Sequence, residues 1–201
     1  MDLCAPLKGR PREFDTDEAL AAALRVFWSK GYEGASLSDL TEAMGITRPS
    51  LYAAFGNKES LFRKALDLYE QEKLAYTRQA LDAPTVKGVA ERMLRGAIDA
   101  QCSDCEPRGC LRVISSVACG AEAECIREEV IARRVSSQQA LVDRFERGKA
   151  EGDVPPDTDV IGLTRYLVAI LQGMAVQASG GASRDELERL VETSLAMWPG
   201  R

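Results

Sequence analysis

SLSDLTEAMGITRPSLYAAF, residues 36–55, decides how this 201-residue chain folds. Leu37, Leu40 and Met44 form one short apolar pattern, Leu51 and Phe55 form a second, and Gly45 breaks the chain between them. Ser36 can cap the first segment through its side-chain oxygen, with Asp39 three residues on, where an acidic group favours a helix start. Thr47 can cap the second, and Pro49 falls in its first turn, where a missing N–H costs little. A helix, a tight glycine turn and a second short helix of about two turns, Arg48 to Ala54, make a helix-turn-helix.

The mechanics of that motif name candidate residues. Its first helix lies across a DNA backbone while the second offers its N-terminal side chains to base edges in the major groove. Thr47, Arg48 and Ser50 are the exposed residues at that position, with Leu51 and Phe55 turned inward. Arginine suits a bidentate contact with guanine, so Arg48 is the expected base reader. Tyr52 and Lys58 suit phosphate contacts, and Ser36 and Thr41 offer neutral donors. Upstream, KGRPREF (residues 8–14) puts Lys8, Arg10 and Arg12 on a proline-stiffened arm of the kind that enters a minor groove. Residues 1–60 nevertheless hold seven cations against nine acids. A DNA-facing surface must therefore segregate its cations.

Outward from this segment the chain reads as helices, since apolar residues recur at three and four and β-branched runs of period two are scarce. The expected fold is all-α with about nine helices. Helix one runs from Asp15 to about Lys30 and stops at Gly31. After the helix-turn-helix, a long helix from about Lys58 to Leu81 links two modules. Further helices cover Val86 to Ile98, the segment CLRVISSVAC (110–119), Glu122 to Gly148, Asp159 to Ala178 and Arg184 to Trp198. The predicted division is residues 1–57, an arm and helix-turn-helix domain, and residues 58–201, a second helical domain.

Composition narrows the function classes. Hydrophobic residues make up 45% and charged residues 28%, the mix of a globular protein. There is no histidine, which removes the usual general base, metal ligand and triad partner; an enzyme is not expected. No uninterrupted apolar run approaches a membrane span, and Met1 to Arg12 lacks the apolar stretch of a signal peptide, so a cytoplasmic protein with no membrane partner is expected. A net charge of −5 gives no global attraction to nucleic acid.

Residues 9–66 carry several marks in order: VFWSKGYEGAS, LTEAMGITRPSLYAAF and NKESLF. This stretch resembles the DNA-binding domain of the tetracycline-repressor (TetR) family of transcriptional regulators. The resemblance implies a homodimer on a palindromic double-stranded operator, and a C-terminal domain that binds a small molecule and moves the reading heads out of register. Beyond residue 67 the likeness is looser and rests on RGCL and LQGMAVQA. A cavity in that domain would be lined by Tyr69, Tyr76, Met93, Cys110, Ile114, Val117, Tyr166, Ile170 and Met174. The last two helices, rich in leucine, would form the dimer interface as a four-helix bundle. The expected function is a DNA-binding regulator, a repressor relieved by a ligand of unknown identity. The alternative of a different class is a helical binding protein or enzyme without DNA function.

QCSDCEPRGC, residues 101–110, leaves three readings open. Cys102, Cys105 and Cys110 can be soft-metal ligands, a redox or electrophile sensor, or buried packing and loop residues. The spacing lacks a second C-x-x-C pair, and neither a metal nor a cofactor is assigned.

Overall fold

The computed structural model describes residues 14–102, 106–117 and 123–200. Among them are ten helices and no strand. Helix α1 spans Thr16–Gly34 and begins at Asp15, whose carboxylate accepts from the Asp17 and Glu18 backbone N–H groups. The expected stop at Gly31 is a kink, with φ 71° there, and the helix resumes to Gly34.

Helices α2 (Leu37–Met44) and α3 (Arg48–Phe55) have the caps that the sequence predicts. Ser36 and Asp39 satisfy each other's backbone N–H groups in a capping box. Gly45 takes the left-handed conformation (φ 65°), and its N–H returns to the Glu42 carbonyl. A side chain would be strained there, so this glycine sets the turn between the two helices.

The long linking helix expected from Lys58 to Leu81 is two helices, α4 (Lys58–Glu72) and α5 (Ala75–Ala80), interrupted at Lys73 and Leu74. The chain turns because α5 packs on α6 (Val86–Gln101), where the Tyr76 ring lies against Gly96. A Cβ on Gly96 would sit 2.3 Å from the Tyr76 ring, so the contact requires glycine. The remaining helices are α7 (Leu111–Val117), α8 (Glu124–Ala150), α9 (Val160–Ser179) and α10 (Arg184–Ala196). This break accounts for ten helices in place of nine.

Two apolar cores result. The first joins α1 to α4 through Phe27, Trp28, Leu40, Leu51, Phe62 and Tyr69, and it also takes in Leu111, Ile126 and Val130 from α7 and α8. Phe27 and Phe62 meet edge to face at 5.1 Å, as do Trp28 and Tyr69 at 4.9 Å. The second core gathers α6, α8, α9 and α10 around Leu94, Phe145, Leu167, Met174, Leu187 and Val191. Each fully buried side chain of this size contributes about 1.5–3 kcal/mol.

Polar ties join the helices of the first core to the rest. The Trp28 indole donates to the Gly109 carbonyl at 3.2 Å. Arg63 of α4 reaches Glu129 of α8 at 2.5 Å, and Arg133 of α8 reaches Asp67 and Glu70 of α4 at 2.6 and 3.0 Å. Helix α9 is long and apolar enough, by length and composition, to cross a membrane, and only 28% of its apolar window is buried.

Candidate functional site

Helix α3 stands out because its outer residues are polar and its inner ones are locked. Leu51 is fully buried and Phe55 nearly so, whereas Thr47 and Arg48 are exposed and Tyr52 is half exposed. Thr47 caps the helix by accepting from the Ser50 N–H, and the two hydroxyls lie 3.0 Å apart. Arg48 projects from the first turn, and its Nη2 donates to Ser38 Oγ of α2 at 2.8 Å. Ser38 escaped the sequence reading. It holds the guanidinium across the turn, and an exposed serine two residues into a helix gave no periodic signal.

Asp39, Lys30 and Ser36 form a second cluster beside it. Lys30 Nζ sits 2.7 Å from Asp39 Oδ1. That ammonium, together with the Ser36 N–H and hydroxyl, brings the Asp39 carboxyl from 3.8 down to about 2. Asp39 is thereby held ionised, with its charge compensated by Lys30. A depressed carboxyl contributes stability that is fully present above pH 3.8 and is lost as pH falls through about 2. Asp39→Asn is therefore expected to lower the urea midpoint at pH 7, and its deficit relative to the parent should close between pH 4 and pH 2. A deficit constant over that range would contradict this role.

The other expected contacts are placed unevenly. Lys58 opens α4, with Nζ 4.6 Å from the Tyr32 ring centre; burial lowers its pKa and Glu33 opposes that shift. The Ser36 hydroxyl donates to Asp39, and the Thr41 hydroxyl donates to the Leu37 carbonyl. Ser36 and Thr41 thus work within the motif in this conformation. Lys8, Arg10 and Arg12 lie outside the described residues.

A cavity of about 430 Å³ opens among α4 to α9. Of the residues expected to line it, Tyr76, Met93 and Cys110 do so. Tyr69 and Ile114 belong instead to the first core, Tyr69 lying under Trp28. Met174 and Ile170 pack in the second core, and Tyr166 is exposed beside Trp198 at 6.1 Å. Val117 ends α7, and its side chain lies outside the described residues. The cavity also has a polar wall that sequence reasoning missed, made of Glu70, Gln101, Arg112, Arg133 and Arg134. Only the adjacent Arg133 and Arg134 offered a hint, and arginines on a long helix ordinarily read as a solvated face.

Cys102, Cys110 and Cys125 are free thiols; Cys105 is outside the described residues. Arg108 Nη2 lies 3.9 Å from Cys102 Sγ. Among the described residues no group of three histidine, cysteine, aspartate or glutamate side chains is arranged to hold a metal ion.

Comparison with known proteins agrees with this geometry. The family model described as bacterial regulatory proteins, tetR family, matches residues 19–65. The transcriptional repressor ComR of Escherichia coli K12 is 34% identical over 194 residues, spanning 96% of this chain and 92% of ComR. YezE of Bacillus subtilis, an uncharacterized HTH-type transcriptional regulator, is 32% identical over 196 residues, 94% of this chain and 98% of its own. Among solved structures, a cysteine mutant of the TetR family transcriptional regulator CifR, complexed with 26-base-pair double-strand operator DNA, matches with a TM-score of 0.89 and 44% identity, covering 94% of this chain and all of that one. These relatives are transcriptional regulators and not enzymes.

Proposed function

The chain belongs to the tetR family of bacterial regulatory proteins, and on that footing we propose that it is a cytoplasmic repressor that binds a palindromic operator as a homodimer and releases it when a small molecule fills the cavity beside Tyr76 and Cys110. In this reading residues 1–57 engage DNA, residues 58–201 bind the effector and the second subunit, and α4 connects the two. Arg48 reads a base edge, Ser50 and Thr47 flank it, and Tyr52 and Lys58 meet phosphates. The single observation that carries the reading is the arrangement at α3: a helix with its apolar side locked into the core, and its first turn presenting an exposed, pre-oriented arginine.

The outer face of α9 supports the homodimer. Ile161, Ala169 and Val176 follow one another at helical spacing on that face, and Ile161 and Val176 are 56% and 61% exposed. Arg165 is the one charged side chain on this face, and a symmetric copy is the commonest cover for a stripe otherwise apolar. The same need explains the apolar composition of α9 without a bilayer. Ile161→Asp together with Val176→Asp is expected to convert a species of twice 21.9 kDa into a monomer on light scattering after size exclusion, with loss of operator binding. A parent protein that runs as a monomer at micromolar concentration would refute the dimer.

A further inference from the structure

The cavity wall carries an unbalanced charge. Four of its residues are arginines, Arg78, Arg112, Arg133 and Arg134, against a single carboxylate, Glu70. Arg133 is neutralised by three acids, Asp67, Glu70 and Glu129, at 2.6 to 3.0 Å, and they hold it cationic despite its burial. Arg112 and Arg134 are not so served. Arg112 is 12% exposed in its side chain, and its one acidic neighbour among the described residues is Glu70 at 3.7 Å, beyond hydrogen-bond reach. Its remaining contacts are two marginal ones to Ser137 at 3.5 Å. Arg134 meets Ser116 at 3.0 Å and no carboxylate among the described residues, and its Nε is buried without an acceptor.

Two further polar atoms at this wall are unpaired. Gln101, 5% exposed, lines the cavity with its Oε1 buried and without a donor, and Glu70 Oε1 is likewise unsatisfied. Both are acceptors that call for a donor, which a carboxylate does not supply, so the preference for an anion comes from the arginines. An apolar part of the lining comes from Leu81, Met93, Leu141, Val168 and Leu171, beside neutral polar residues such as Ser136, Gln138 and Gln172. A neutral apolar ligand would leave the Arg112 and Arg134 charges uncompensated, and a cation would meet them directly.

We propose that the effector is an amphipathic organic acid, its apolar body on Leu81, Met93, Leu141 and Leu171 and its anionic group held by Arg112 and Arg134. This rests on the reading of the cavity as the effector site. It also supplies a route to DNA release. The ligand's anion takes Arg112 away from Glu70, and Glu70 belongs to α4, whose Leu61, Phe62 and Leu66 share the core of the reading domain. Occupancy therefore perturbs the approach of α7 to α4, the helix that shares its core with the reading head. It shifts the equilibrium only as far as the anion prefers the rearranged state.

The test compares three probes with one apolar body and different heads: decanoate, decan-1-ol and decylammonium, titrated by calorimetry into the full-length protein. Decanoate is expected to bind at least about tenfold more tightly than the alcohol, and decylammonium not at all. Arg112→Gln and Arg134→Gln should each weaken decanoate about tenfold and leave decan-1-ol unchanged. Thermal unfolding of each variant establishes that it is folded. Equal binding of alcohol and acid, indifference of decanoate to both substitutions, or no decanoate binding at millimolar concentration overturns the proposal. Fluorescence anisotropy of the operator complex separates the two readings. If the alcohol binds and releases DNA as well as the acid does, the effector cavity stands and the anion fails. If decanoate binds through the arginines and the DNA complex is unmoved, the anion stands and the effector reading fails.

Discussion

Arg48→Ala is expected to abolish discrimination at one base position of each operator half-site. A bidentate arginine–guanine contact is worth about 1–3 kcal/mol against the wrong base, and two half-sites of a dimer double that cost when they act independently. Anisotropy titrations on the operator and on duplexes changed at single positions should show the parent losing affinity at one guanine and the variant indifferent to it. Lys58→Ala should instead weaken all duplexes alike, since a phosphate contact carries no base information. Identical behaviour of the two variants would remove Arg48 from its role. Ser38→Ala should give a smaller effect of the Arg48 kind, because the Ser38 hydroxyl holds Arg48 Nη2 at 2.8 Å without itself needing to touch DNA.

Trp28→Ala is expected to cost about 3–5 kcal/mol, the range for truncating a large buried aromatic. Trp28 is 1% exposed, edge to face with Tyr69, and bonded to the Gly109 carbonyl, so the substitution leaves a hole where α1, α4 and the segment before α7 converge. For a chain of this size the melting temperature should fall by roughly 6–20 °C. Trp28→Phe keeps one six-membered ring but loses the N–H donor and part of the indole's volume, so its cost should fall between the roughly 1 kcal/mol of the hydrogen bond and that of Trp28→Ala. Loss of the same size in both variants would show that the hydrogen bond, and not the packing, makes the join.

Where the sequence was legible, local chemistry decided the outcome. Ser36, Thr47 and Gly45 act within three or four residues of themselves, and each ends or begins its helix where its own hydrogen bonds or backbone angles require. Apolar spacing likewise placed Leu40, Leu51 and Phe55 in the core. The break at Lys73 and Leu74 was not legible, because no glycine or proline marks it. It follows from the seat of Tyr76 on Gly96, twenty positions away, and no local pattern encodes that contact. The cavity was half legible for the same reason. Tyr76, Met93 and Cys110 could be named as apolar or adaptable side chains, but Arg112 and Arg134 acquire meaning only when α7 and α8 close on Glu70 and Gln101. Tyr69 shows the converse: an aromatic at the right place in the chain that serves the first core under Trp28.

Selection of duplexes from a random pool by the purified protein, followed by sequencing, tests operator recognition through Arg48 without presuming an operator. The expected result is an enriched inverted repeat whose half-sites lie about one helical turn apart. Each half-site should also hold a guanine that is no longer enriched when the selection is repeated with Arg48→Ala. A pool that shows no enrichment at low salt, or an enriched sequence unchanged by Arg48→Ala, would contradict operator recognition through this arginine.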